Sequence, residues 1–389
     1  MTGVQTCALR SVSSDSSVVP NANIVFGGSG ANRTVTITPA AGQIGSANIT
    51  ITVSDGTTSA QTAFAVSFEQ PTALPKSDLP ASSTYNGLFY EDDAVRLQSA
   101  GSFKVTVTSA GKYSGTMQTA GGRYSFSGQF GTFCQGTNVI VRKGYRSLTL
   151  NFSLNTGASA NRFVGNVSDG LFAAQMHGVG TTFSTTTHPA PYLGHYTLAV
   201  PSGDISTSFS LGNGFGSLTV DGGGNVKMSG MLADGTKITQ ASQISDDGTW
   251  PLFVPLYKGK GMIIAWISFT NRAGDDLHGA VNWIKQPDLL AHYYSSGFAL
   301  AGDAIGSAYA PVSALALNTQ ISRLQSSGNA NTVVTSIKIS QTTGTFKGSI
   351  VDKTTGKPSS FQGALLQKPV AGYGFILGAN QSTPVLLTE

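Results

Sequence analysis

The stretch Ala47-Asn48-Ile49-Thr50-Ile51-Thr52-Val53-Ser54-Asp55-Gly56 alternates apolar and polar residues and ends in a turn-forming Ser-Asp-Gly. Period two puts the apolar side chains on one face of an extended strand, and β-branched residues favour that pleated surface. Thr34-Val35-Thr36-Ile37-Thr38 upstream and Thr62-Ala63-Phe64-Ala65-Val66-Ser67-Phe68 downstream share the period, with Gly, Pro and Asn between the runs. One buried face made of Val35, Ile37, Ile49, Ile51, Val53, Phe64, Val66 and Phe68 is expected.

The rest of the chain agrees with a β reading. Its 389 residues hold 48 Gly, 46 Ser and 42 Thr but only three Glu, so the usual surface residues of helices are scarce. With 40% hydrophobic residues and a net charge of +4, the composition is not that of a disordered chain. The length exceeds one typical core, so two or more domains are expected. No basic run is longer than Val141-Arg142-Lys143, and no nucleic-acid partner is expected. The longest apolar run, Gly261 to Ile267, has strand length, and no membrane-spanning segment is expected.

Repeats organise the region after the prolines Pro71, Pro75 and Pro80. Tyr85-Asn86-Gly87-Leu88-Phe89 returns as Tyr192-Leu193-Gly194-His195-Tyr196 and more faintly as Ile305-Gly306-Ser307-Ala308-Tyr309. An apolar residue two positions before glycine recurs at Tyr113/Gly115, Phe126/Gly128, Met228/Gly230, Leu277/Gly279, Phe346/Gly348 and Phe361/Gly363. Strand glycines of this kind let a wall bend or let a neighbouring ring lie on the backbone. Asn138 to Gly144 aligns with Trp250 to Gly259, and Leu148 to Leu154 with Met262 to Phe269. Units at 83–190, 191–300 and a shorter 301–389 follow, preceded by a linker at 71–82. Antiparallel units of this kind avoid open edges by closing into barrels or packing as sandwiches. The 313–325 segment is the one candidate for a short helix, and its alternation equally suits a strand.

Three resemblances bear on setting. Pro20-Asn21-Ala22-Asn23-Ile24, Thr38-Pro39-Ala40-Ala41, Gly45-Ser46-Ala47 and the strand ending Val53-Ser54-Asp55-Gly56 resemble bacterial Ig-like or cadherin-like surface repeats. A complete sandwich of that class takes about 100 residues, so 12–70 is expected to be a truncated one, joined in its parent chain to neighbouring Ig-like repeats. The phrases Tyr124-Ser125-Phe126-Ser127-Gly128, Asp247-Gly248-Thr249-Trp250-Pro251 and Phe361-Gln362-Gly363-Ala364-Leu365 resemble a repeated C-terminal β-region of large secreted or surface proteins of environmental, Verrucomicrobia-like bacteria. Met1-Thr2-Gly3-Val4-Gln5-Thr6-Cys7-Ala8-Leu9 resembles a translated sequencing adapter, so 1–11 is expected to lie outside the gene and the true start to be missing. The implied fold is all-β: a truncated Ig-like sandwich followed by repeated antiparallel β-barrel-like or β-sandwich-like units. The implied location is extracellular or at the cell surface.

Chemistry-bearing clusters are few. With Cys7 set aside, Cys134 stands alone and reads as a small buried hydrophobe. The histidines His177, His188, His195, His278 and His292 show no metal-ligand spacing. Glu91-Asp92-Asp93 is the densest charge in the chain and, with the turn residue Asp55, the candidate for calcium; no other cofactor is expected. Asp246-Asp247 and Asp275-Asp276 read as turn residues. Trp250, Trp266 and Trp283 are candidates for a sugar-stacking platform, with core packing as the alternative. The leading expectation is a non-catalytic adhesion, ligand-binding or stalk segment whose partners are surface glycans or extracellular matrix. The alternative is a carbohydrate-active hydrolase, or its accessory region, using two convergent carboxyls.

Overall fold

The computed structural model describes residues 8–29, 32–40, 43–68, 82–131, 134–155, 161–200, 211–311, 325–326 and 332–388. Most of the 71–82 linker and of the 313–325 segment lies outside the described residues. Described strands fall into two compact units, Met1–Ala73 and Leu74–Glu389.

The first unit holds β1 (Ala8–Ser13), β2 (Ile24–Ser29), β3 (Asn32–Ile37), β4 (Gly45–Ser54) and β5 (Ser59–Phe68). They form a three-stranded sheet, β1-β4-β5, and a two-stranded sheet, β2-β3. The two sheets share one core, in which Val18, Val19, Ile24, Ala47 and Ile49 are buried and Val35, Ile37, Ile51, Val66 and Phe68 pack against them. Val53 and Phe64 depart from the expected buried face, at 39% and 37% exposed. Alternation assigns them the right side, since Ile49 lies opposite Phe64, but it cannot say how far a two-stranded sheet reaches over a ten-residue strand. Ala8 to Ser11, set apart in the sequence reading, extend β1 and pair with Ile51 to Ser54. Ladder formation asks only for extended backbone with free N–H and C=O groups.

The second unit begins with β6 (Ser82–Tyr90), β7 (Gly101–Thr108), β8 (Lys112–Thr119), β9 (Gly122–Gln129), β10 (Gln135–Ile140), β11 (Leu148–Asn155), β12 (Arg162–Ser168) and β13 (Ala173–Thr181). These make one eight-stranded sheet in the order β10-β11-β12-β13-β6-β7-β8-β9. It is an up-and-down meander in which the last strand returns to the first, leaving a seam between β9 and β10. Asn138 spans that seam: its Nδ2 donates to the Ser127 carbonyl at 3.0 Å and its Oδ1 accepts from Tyr113 OH at 2.9 Å. Inward positions carry Tyr85, Phe89, Phe103, Phe126, Phe130, Phe152 and Phe163.

The next eight strands repeat the plan: β14 (Gly194–Val200), β15 (Gly214–Val220), β16 (Asn225–Met231), β17 (Lys237–Gln243), β18 (Thr249–Leu256), β19 (Gly261–Phe269), β20 (Leu277–Lys285) and β21 (Phe298–Ala308). Their order, β17-β16-β15-β14-β21-β20-β19-β18, puts the seam again between the fourth and fifth strands. Gln240 Nε2 crosses it to the Pro251 carbonyl at 2.9 Å, and Trp250 Nε1 to Ser242 Oγ at 2.7 Å.

A six-stranded open sheet follows: β22 (Gln325–Ser326), β23 (Thr332–Ile339), β24 (Thr345–Asp352), β25 (Pro358–Leu366), β26 (Ala371–Leu377) and β27 (Ser382–Thr388), in the order β22-β27-β26-β25-β24-β23. It leans on the second barrel, whose core takes in Ala364 and Phe375. The expected boundary at 300 falls inside β21, which pairs with both β20 and β14. The faint third copy of the opening motif, around Gly306, is therefore the closing strand of the second barrel and not the start of a third unit. The motif marks a packing device that any strand can use.

That device is visible at the paired glycines. Gly115 lies opposite Phe126 and Gly128 opposite Tyr113, and a methyl group on Gly115 would stand 2.6 Å from Phe126 Cζ. The same exchange recurs between Gly348 and Phe361 and between Gly363 and Phe346. A ring that lies flat across the neighbouring strand fills the interior only where that strand has no Cβ.

Candidate functional site

The acidic cluster that sequence marks for calcium is held by a cation of the chain itself. Arg96 donates from Nη1 to Glu91 Oε2 at 2.8 Å and grips Asp93 with both terminal nitrogens, at 2.8 and 2.6 Å. Ser99 Oγ adds a 2.6 Å bond to Glu91 Oε2. The Arg96 hydrogen bonds hold the Asp93 carboxyl down to about 2. Asp55, in the first unit, caps the β4–β5 turn by accepting from the N–H groups of Thr57 and Thr58 at 2.9 and 2.7 Å, and these bonds lower its pKa. Glu91, Asp93 and Asp55 thus each turn a carboxylate oxygen to a protein donor, while Asp92 is exposed on the same loop as Glu91 and Asp93. Among the described residues no three His, Cys, Asp or Glu side chains gather as a metal site.

The three tryptophans do not form a platform. Trp250 and Trp283 point into the second barrel, 0% and 4% exposed. Trp266 is opposite Pro251 on the other face of the same wall, half-buried with Tyr90, Val95 and Leu97 against Leu88, Phe253 and Met262. Alternation makes residues of one wall face opposite ways, so three tryptophans close in sequence end on two sides.

A buried polar network that sequence does not announce closes one end of the second barrel. Lys285 Nζ lies 3.0 Å from Asp234 Oδ2, the two side chains 6% and 1% exposed, and donates to the Tyr293 carbonyl at 2.7 Å. Tyr257 OH donates to the same Asp234 oxygen at 2.7 Å and accepts from Trp283 Nε1 at 3.0 Å. Lys285 Nζ also sits 4.4 Å from the centre of the Tyr257 ring. Burial, then the Asp234 charge, push the Tyr257 hydroxyl far up from its ordinary value. Tyr257, Lys258 and Tyr294 adopt φ of 51°, 55° and 53°, left-handed backbone that packing must stabilise. The adjoining void, lined by Val200, Leu211 and Trp283, is only about 10 Å³, room for one water at most. A Lys–Asp–Tyr group this enclosed can hold loops in place but cannot meet a substrate.

The accessible concavity lies elsewhere. The two barrels pack side by side through Leu88, Ala100, Phe253, Met262 and Ile264, and through Asp246, which accepts from Thr182 N at 2.7 Å and Asn161 Nδ2 at 3.0 Å. Between them opens a cleft of about 270 Å³, bordered by Asn86, Ser102, Lys104, Thr116, Gln118 and Arg123 on the first barrel. The second barrel contributes Thr239, Gln240, Ser242 and the ring-bearing Pro251, Phe253 and Pro255. No carboxylate is among its lining residues. Gln240 Oε1 is buried without a donor among the described residues, while its Nε2 is fixed on Pro251. Outward alternation could have flagged Lys104 and Arg123, but the meeting of β6 and β7 with β17 and β18 is not written in either segment.

No protein-family signature matches the sequence, and no curated protein matches it. Among solved structures, the isotype 1 transferrin-binding protein B of serogroup B Neisseria meningitidis is similar at 8% identity and a TM-score of 0.15, over 88% of this chain and 62% of that one. The WD40 domain of SCAP from fission yeast gives 9% and 0.15, over 88% and 81%. A quinoprotein alcohol dehydrogenase-like protein of Bacteroides thetaiotaomicron gives 9% and 0.11, over 99% and 94%. Likeness this slight carries no argument about fold or activity.

Proposed function

We propose that the chain is a non-catalytic, ligand-binding segment of a large secreted or cell-surface bacterial protein. In this reading residues 12–70 are a partial Ig-like stalk repeat and the double barrel is an adhesion head for surface glycans or matrix. The cleft between the barrels carries the proposal. It offers amides and hydroxyls beside proline and phenylalanine faces, the mixture that a polyhydroxylated ligand needs. The acidic side chains also favour binding over hydrolysis. Glu91, Asp247 and Asp276 stand on three separate loops, each beside its own cation, Arg96, Arg162 and Lys368.

The test is a glycan array probed with the full chain, then with Asn86→Ala and Gln240→Ala. Glycan binding that both substitutions weaken supports the reading. An array without hits, or hits that neither substitution touches, would overturn it.

A further inference from the structure

We infer that the ligand of this cleft is an acidic saccharide, one bearing carboxylate or sulfate groups, and that the open sheet carries a second anion-binding groove. The inference rests on the glycan reading above and specifies its chemistry.

Lys104, Thr116 and Arg123 border two concavities at once. One is the inter-barrel cleft; the other is a groove of about 500 Å³ on the outer wall of β7, β8 and β9. The three residues therefore sit where the cleft opens onto the groove. Lys104 and Thr116 are direct cross-strand neighbours. Arg123 reaches back across β8, so that its Nη2 donates to Thr116 Oγ1 at 3.3 Å. Two cations thus flank one hydroxyl at the lip, and no carboxylate lines either concavity. Among the described residues neither Lys104 nor Arg123 is in an ion pair, whereas Arg96, Arg142, Lys260 and Lys285 each have a carboxylate partner. An anionic ligand can bring the charge that this lip lacks.

The open sheet repeats the groove. Val105, Gly115 and Phe126 stand in one cross-strand row, and Ile337, Gly348 and Phe361 stand in the matching row of β23, β24 and β25. On the opposite face of the sheet, the one from which Gln362 reaches Met231 of the second barrel, is a groove of about 510 Å³, edged by Lys338, Lys347, Ser349 and Gln362. Lys338 lies directly opposite Lys347. Like charges in that position repel and destabilise the strand pair, and no acidic side chain lines this groove. Each groove thus carries two cations and no carboxylate beside serine, threonine or glutamine, although the cations stand at different positions of the two ladders. An extended polymer with repeated acidic groups and hydroxyls meets both.

Binding of the full chain is measured against two matched pairs: polygalacturonate with its methyl ester, and dextran sulfate with dextran. Duplex DNA serves as a polyanion without sugar hydroxyl chemistry of this kind. We expect binding to a charged member of a pair, with its neutral counterpart weaker by about tenfold or more. Raising salt should erode that preference. The variant Lys104→Gln/Arg123→Gln is expected to lose the preference, and Lys338→Gln/Lys347→Gln to lose part of it. The melting temperature should be unchanged for the first pair, whose side chains are exposed, and unchanged or slightly raised for the second, which removes a like-charge pair. The pair that responds separates carboxylate from sulfate as the recognised group. Equal binding of charged and neutral polymers overturns the acidic ligand while leaving a glycan-binding cleft. Equal binding of DNA overturns saccharide recognition by the cations. No saccharide bound in any arm overturns the cleft reading itself.

Discussion

The two barrels share strand order, seam position and loop ties, yet they fill their interiors by different means. In both, the loops after the fifth and seventh strands are joined by an ion pair, Arg142–Asp169 at 3.3 Å and Lys260–Asp288 at 3.0 Å. In both, that aspartate turns back on the N–H two residues on, of Leu171 or Leu290. Inside, the first barrel is a stack of aromatic rings laid on glycines: Phe152 and Phe163 have centroids 4.8 Å apart. The second has fewer rings and instead encloses Asp234, Lys285 and Tyr257. The wall pattern of alternating residues is thus indifferent to whether the interior is filled with rings or with a paired polar group.

Removing one member of the buried pair breaks the comparison most severely. Lys285→Met leaves Asp234 buried without its cation and should cost about 3–5 kcal/mol in urea unfolding. Asp234→Leu/Lys285→Met should recover most of that loss, since an apolar pair of similar volume leaves no buried charge. A double substitution as damaging as the single one would mean that the network is needed for more than charge balance. The glycines give the next effect. Gly115→Ala drives a methyl into the Phe126 ring and should cost about 1–3 kcal/mol, part of it returned by Phe126→Leu in the same chain. Gly230→Ala in the second barrel meets the backbone of β15, with Phe215 O nearest. No single side-chain change should relieve it, and thermal unfolding of the three variants decides.

How far sequence carries is clear from these same residues. The period-two runs yield strands in the right places, and the recurring glycine yields two units with matching strands: Asn138 with Trp250, Leu148 with Met262. Phe346 and Phe361 are equally legible. The third boundary is not, because a glycine–aromatic pair serves any strand, first or last. Lys285 and Asp234 are 51 residues apart, on a strand end and a turn, and nothing local tells either that it is buried. The Arg96 clamp on the acidic cluster is hidden for the same reason: Arg96 stands three residues beyond Asp93, and whether it turns back is a matter of loop conformation. The cleft is the least legible, since each barrel supplies half of it.

Smaller substitutions sharpen the likeness of the seams. Asn138→Ala removes both seam bonds of the first barrel and leaves the Tyr113 hydroxyl without that acceptor, at a cost of about 1–2 kcal/mol. Gln240→Ala removes one seam bond of the second while Trp250 still reaches Ser242, so it should cost less. Equal losses would show that the seams are not held alike. The smallest effect belongs to Asp93, 69% exposed. Its carboxyl titrates near 2 in the folded chain, below the ordinary value of 3.8. The folded state therefore gains from its ionised form above the unfolded value and loses that gain as pH falls through the folded one. The carboxyl-carbon NMR shift of Asp93 should show a midpoint near 2, and Arg96→Gln should return it towards 3.8 with scarcely any change in unfolding. A midpoint that stays low in Arg96→Gln would assign the depression to the loop backbone and not to the guanidinium.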